Sequence, residues 1–153
     1  MRRPDPRCEP LIAYWSAVYR FEEAGRWRTL RFVGPAWAER AAPTPAPTRS
    51  LSIITAYNPM SRVLSPEENA QRAIELIAEL DQRSLAHDES VNAAEDGSWP
   101  EHGRVVRGID RDTLLGLARR FEQRAVVWCI RGQVGLLETA TERWLVRAAA
   151  IYS

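Results

Sequence analysis

One stretch of the chain is unusually rich in directional hydrogen-bonding groups: Ile54-Thr55-Ala56-Tyr57-Asn58-Pro59-Met60-Ser61-Arg62-Val63-Leu64-Ser65-Pro66-Glu67-Glu68-Asn69-Ala70-Gln71-Arg72. An apolar strand runs into an Asn-Pro turn and then into a helix start. Such a junction presents unpaired backbone N–H groups at the positive end of a helix dipole, which is a natural anion site. Arg62 is placed to close over a phosphate or carboxylate there. Every residue also has a structural account. Ser65, Pro66 and Glu68 form the signature of a capping box. Glu68 and Arg72 are spaced as a helical i,i+4 pair. Asn58 suits the turn.

Other reactive groups are few. His87-Asp88-Glu89 offers three ligand types, but adjacent residues do not share a face, so no metal site is expected. His102 beside Glu101 has the chemistry for acid–base work, and a solvated loop histidine is the simpler account. Thr55, Ser61, Ser65 and Ser98 have no base partner close in sequence. Phosphate-cradling glycine loops, the nucleophile elbow and the H-E-x-x-H zinc signature are absent, and no cofactor is implied. Cys129 lies in the apolar run Ala125–Ile130 and reads as a small buried hydrophobe. It is far from Cys8 and forms no C-x-x-C pair.

These groups sit on a chain of 153 residues, 45% hydrophobic and 27% charged, which is long enough to bury a core without staples. All 21 basic residues are Arg, so a Schiff-base or general-base lysine is excluded. Arginine usage of this kind follows from a GC-rich genome, or from selection for planar, bidentate contacts. The formal net charge of +1 argues against a general nucleic-acid or membrane-surface binder. Charge is nonetheless segmented: residues 50–103 hold three Arg and ten acids, and residues 104–131 hold seven Arg and three acids. No apolar run is long enough for a transmembrane helix, no secretory signal is seen, and a reducing cytoplasm is the expected compartment.

The elements that must position the groups follow from periodicity. Residues 1–8 read as a flexible arm ahead of a single domain over 9–153. Leu11–Ala17 suits a short helix, and Val18–Phe21 with Trp27–Val33 a hairpin. The Pro-rich segment 35–50 reads as a surface loop, and 51–57 as a strand. A capped helix begins at Ser65-Pro66, and 84–103 reads as a long polar loop. A strand over 104–109, a helix capped by Asp110, a hairpin over 125–137 and a terminal helix over 141–151 complete the chain. The expected fold is α+β: a mixed or antiparallel sheet of five to six strands with about three helices mainly on one face.

Thr55-Ala56-Tyr57-Asn58-Pro59, then Ser61-Arg62, Leu64-Ser65, Glu68-Asn69 and Arg72, resembles the core of a bacterial family known only as a domain of unknown function (number 3293). The resemblance extends through Ala13-Tyr14, Tyr19-Arg20, Gly97-Ser98-Trp99-Pro100-Glu101 and Ala118-x-x-Phe121-x-Gln123. After Glu101 the family tends to Pro-Ser, whereas this chain has His102-Gly103. The resemblance implies no activity. It does imply that the 55–72 and 99–101 segments meet.

Two functions are compatible with these residues. In one, a pocket binds a small anionic ligand through Thr55, Asn58, Ser61, Arg62, Glu68, Asn69, Arg72, Trp99, Glu101 and Gln123. Glu68 or Glu101 is then the candidate catalytic base, and Trp99 the stacking face. In the other, the polar motif is a structural staple, and exposed Trp residues anchor a protein partner.

Overall fold

Ile53 and Ile54 are neighbours on one strand, and both are buried. Adjacent strand residues point to opposite faces, so the sheet must carry an apolar layer on each side. Val105 with Val106, Leu136 with Leu137 and Trp144 with Leu145 repeat the pattern. The computed structural model, which describes residues 11–42 and 49–153, shows how both layers are covered.

The elements in chain order are α1 (Ile12–Ser16), β1 (Val18–Glu23), β2 (Arg26–Arg40), β3 (Leu51–Thr55), a 3-10 turn (Pro59–Ser61), α2 (Pro66–Gln82), β4 (Ala86–Ala93), β5 (Glu101–Arg107), α3 (Arg111–Arg120), β6 (Ala125–Ile130), β7 (Gln133–Glu138) and β8 (Trp144–Tyr152). The strands form a closed barrel in the order β1-β2-β8-β7-β6-β3-β5-β4. Antiparallel pairing of β4 with β1 completes the ring.

One apolar layer fills the barrel. Tyr19, Phe21, Leu30, Phe32, Ile53, Val105, Val127, Leu136 and Leu145 come from strands all round the ring. Leu11 and Trp15 of α1 join this layer, with Trp15 edge-on to Phe32 at 4.8 Å between ring centroids. The other layer lies outside, where Ile54, Val106, Val126, Trp128, Leu137 and Trp144 pack against Leu76 and Leu80 of α2 and the apolar face of α3. Both long helices start as their sequences dictate. Ser65 and Glu68 close the capping box of α2, and the Asp110 side chain accepts from Thr113 N in α3.

The closed barrel corrects the expected α+β sheet of five to six strands. Among the described residues there are three α-helices but eight strands, and helix is replaced by strand at the C-terminus. Trp144, Ala148 and Ile151 fall at helical spacing, yet residues 144–152 bridge β2 and β7 as β8. The backbone gains a ladder to β7 over Trp144–Val146 and a longer one to β2, and the β2 ladder outweighs the helical preference of Ala148-Ala149-Ala150. The expected polar loop at 84–103 contains β4 and the start of β5, and the expected loop at 35–50 is strand as far as Arg40. Residues 43–48 of that loop, and the expected arm at 1–8, lie outside the described residues. No described helix is long and apolar enough to cross a membrane.

Two glycines permit close backbone approach in this ring. A Cβ at Gly103 would stand 2.4 Å from Ile54 O, and one at Gly135 would stand 2.4 Å from Leu145 O. Gly135→Ala should therefore cost about 2–4 kcal/mol in chemical denaturation. Gly116→Ala, on an open face of α3, should instead gain about 0.5–1 kcal/mol.

Candidate functional site

β3 ends at Thr55, and the chain must then leave the barrel and reach α2. Asn58 makes that turn in the left-handed region, at φ 48° and ψ 65°, a conformation Asn tolerates better than most residues. Its side chain organises the segment beyond the turn. Asn58 Oδ1 accepts from Leu64 N at 3.0 Å and from Asn69 Nδ2 at 2.9 Å. Asn58 N donates to Asn69 Oδ1 at 3.0 Å, so the two amides clasp each other. Asn58 Nδ2 then donates to Glu101 Oε2 at 2.8 Å, which joins the 55–72 segment to the start of β5.

Arg72 and Gln123 secure the same junction from below. Arg72 Nε donates to Ala56 O at 2.6 Å, and Nη2 donates to Phe121 O at 2.5 Å. Its guanidinium also lies over the Phe121 ring at 5.9 Å. Gln123 Nε2 donates to Tyr57 O at 3.0 Å and to Phe121 O at 3.1 Å. Met60 N donates to Glu122 O at 2.7 Å. β3, α2 and the end of α3 are thus tied together by side chains bonded to backbone carbonyls.

Above this junction the barrel opens into a cleft of about 340 Å³. Its walls come from α1, the start of β1, the end of β4, the start of β5 and the 58–63 turn. Of the residues expected from sequence, Asn58, Ser61, Trp99, Glu101 and Gln123 line it. The other five stand apart. Thr55 is buried and donates to His102 O at 2.8 Å. Glu68 is exposed in the capping box, Asn69 is clasped to Asn58, and Arg72 is spent on carbonyls. Arg62 is exposed and outside the lining.

Among the lining residues to which the sequence assigns no role are Tyr14, Tyr19 and Asn92. The tyrosines carried a signal, since both fall in the short segments that resemble the family. Asn92 carried none, because its strand was read as loop. Tyr19 Oη donates to Tyr14 O at 2.5 Å, and burial pushes its pKa well above the ordinary tyrosine range, helped by Tyr14 and Glu101. Burial also raises Tyr14, against the backbone N–H groups of Arg124 and Ala125, which draw it down.

Glu101 is the acid–base candidate that the cleft keeps. Burial raises its pKa, and the Asn58 hydrogen bond opposes the rise. Arg124 stands nearby but donates to Met60 O and Ser61 Oγ, both at 3.3 Å. Cys129 packs against the barrel-filling layer, and burial pushes its thiol up to about 12, far from a nucleophile's range. Among the described residues no cluster of three His, Cys, Asp or Glu could hold a metal ion.

A second cleft, of about 310 Å³, runs between α2 and the outer face of β4 and β5, where Glu89, His102 and Arg104 meet Ile77. Arg104 Nε donates to His87 Nδ1 at 2.9 Å, so His87 Nε2 carries the proton toward Asp81 Oδ1 at 2.6 Å.

Arg72→Ala should cost about 2–3 kcal/mol in urea denaturation, because two carbonyls lose a charged donor. Arg72→Lys should fail to restore it, since one ammonium does not span both carbonyls. The raised pKa of Glu101 has a definite sign. The folded state holds the proton more tightly than the unfolded state, so this group's favourable contribution exists at low pH and is lost as pH rises through the folded-state value. Glu101→Gln should therefore raise the melting temperature at pH 7 and flatten its decline as pH rises above the ordinary carboxylate range.

No curated protein and no solved structure matches the chain. A family model does match, over residues 54–126, and that span supplies Asn58, Asn92, Glu101 and Gln123 to the cleft. Over that span the chain resembles the family described as Protein of unknown function (DUF3293).

Proposed function

We propose that the cleft at the mouth of the barrel binds a small ligand. The observation that carries this reading is Glu101: a half-buried carboxyl faces an open cleft with a neutral amide as its only partner among the described residues. Burial of a carboxylate without a counter-charge is unfavourable, and groups in that state concentrate at functional sites. Backbone strain gathers at the same place. Asn58, Met60, Ser61 and Trp99 all have positive φ, and three of the four line the cleft. The small anion expected at the 58–72 junction finds less support, because no Arg or His among the described residues belongs to the lining and Arg72 is already engaged.

A protein partner is the second reading, and the rim favours it. Trp99 and Val63 line the opening and are 69% and 67% exposed. Aromatic side chains held this openly serve as interface anchors.

A metabolite library screened by thermal shift separates the two. Ligands of the cleft should raise the melting temperature of the wild type and bind about tenfold more weakly to Glu101→Gln, as expected for loss of a charged hydrogen bond. Ala93→Leu, which fills the wall, should abolish the shift. Hits that survive both substitutions, or an absence of hits, would count against the cleft. Capture of a protein partner that is lost in Trp99→Ala would favour the rim.

A further inference from the structure

We infer that the cleft selects a flat group carrying paired N–H donors, of the amidinium or guanidinium type, over a carboxylate of the same shape. This rests on the reading of the cleft as a ligand site and names the chemistry of its occupant.

Asn92 and Glu101 stand directly opposite each other on β4 and β5 and both line the cleft. Side chains at such a position are about 5 Å apart at Cβ, which is the reach of one planar group. Asn92 Oδ1 is buried and accepts no hydrogen bond. Glu101 Oε2 accepts from Asn58, while Oε1 has no partner among the described residues. Glu101 and Asn92 therefore lie at one place in the cleft, each with an acceptor oxygen that no described donor fills. A buried acceptor left without a donor is unfavourable, and a donor on the ligand would relieve it.

Three neighbouring donors are already committed. Gln123 donates to two carbonyls, Tyr19 to Tyr14 O, and Ser16 Oγ to Ile12 O at 2.8 Å. The hydroxyls of Tyr14 and Ser61 can donate or accept. An anion would meet the Glu101 carboxylate without a cation among the described residues of the lining to offset it. An amidinium offers two parallel N–H groups at the spacing a carboxylate accepts, together with the missing positive charge. The remaining wall suits a flat apolar body, since Ala13, Ala17 and Ala93 share the lining with the exposed Trp99 ring. A guanine edge presents the same donor pair without charge.

Titration of the 15N-labelled protein with benzamidine, benzoate and guanosine tests this, with amide shifts at Asn58, Asn92 and Glu101 as the readout. Benzamidine should shift these amides saturably and benzoate should not. Glu101→Gln, checked for an intact fold by its spectrum, should weaken benzamidine at least tenfold, and Asn92→Leu should weaken it severalfold. Binding of guanosine, with inosine silent, would identify an uncharged donor pair as sufficient. Benzoate binding as tightly as benzamidine would overturn the selectivity while leaving the cleft as a ligand site. Silence from all three probes would overturn the inference, and the library screen would still decide whether the cleft binds anything.

Discussion

Residues Val18–Phe21 of β1 pair with Ser90–Ala93 of β4, and this ladder turns a curved sheet into a ring. A closed sheet leaves no unpaired edge. It also creates an interior whose size is set by the number and tilt of the strands, and that interior must be filled. Side chains from the strands fill most of it, and Leu11 and Trp15 of α1 complete the filling. The strands are then buried on both faces wherever α2 and α3 lie against the outside, so neighbouring residues such as Ile53 and Ile54 are both apolar. At the end of the ring away from the cleft, polar groups neutralise one another: Arg107 Nη1 donates to Asp88 Oδ2 and Nη2 to Glu22 O, both at 2.8 Å.

At the other end the filling stops short, and the polar junction takes over. The clasped amides of Asn58 and Asn69, the carbonyls held by Arg72, and Gln123 on Tyr57 O make one connected set. Its members are buried or half-buried and mutually satisfied, which gives a rigid frame rather than a reactive one. That frame holds Glu101 through a single hydrogen bond from Asn58. Structural staple and ligand site are therefore not exclusive descriptions of residues 55–72. Asn69 and Arg72 hold the turn, the turn holds Asn58, and Asn58 orients a carboxyl toward open space. The same logic places the three left-handed residues of the turn, Asn58, Met60 and Ser61, where surrounding bonds can sustain their strain.

The legible parts of the fold were those with strong local patterns. The capping box at Ser65 and Glu68, the Asp110 cap, the hairpin over β1 and β2, and the apolar run of β6 all lie where periodicity and capping chemistry indicate. β4 was not legible. Its residues Ala86-His87-Asp88-Glu89-Ser90-Val91-Asn92-Ala93 have no apolar alternation, because the positions facing inward are Asp88, Ser90 and Asn92. Such a strand exists because two neighbours supply its hydrogen bonds, which no local signal can report. β8 failed for the opposite reason, since its alanines satisfy a helix locally and only the ladder to β2, joined by β7 over Trp144–Val146, makes it a strand.

The site divides along the same line. By itself the sequence determined that residues 55–72 make a strand, a turn and a capped helix, that hydrogen-bonding groups concentrate there, and that no lysine is available for chemistry. These are properties of neighbours along the chain, where turn and capping preferences act over a few residues. Only the tertiary structure decided which of those groups face each other and which face the cleft. Arg72 turned to the backbone of Ala56 and Phe121, Arg62 stayed outside the lining, and Asn92 arrived opposite Glu101 from a strand that periodicity did not reveal. The physical reason is barrel closure: it brings distant strands into register, and register assigns each side chain to the interior or the exterior.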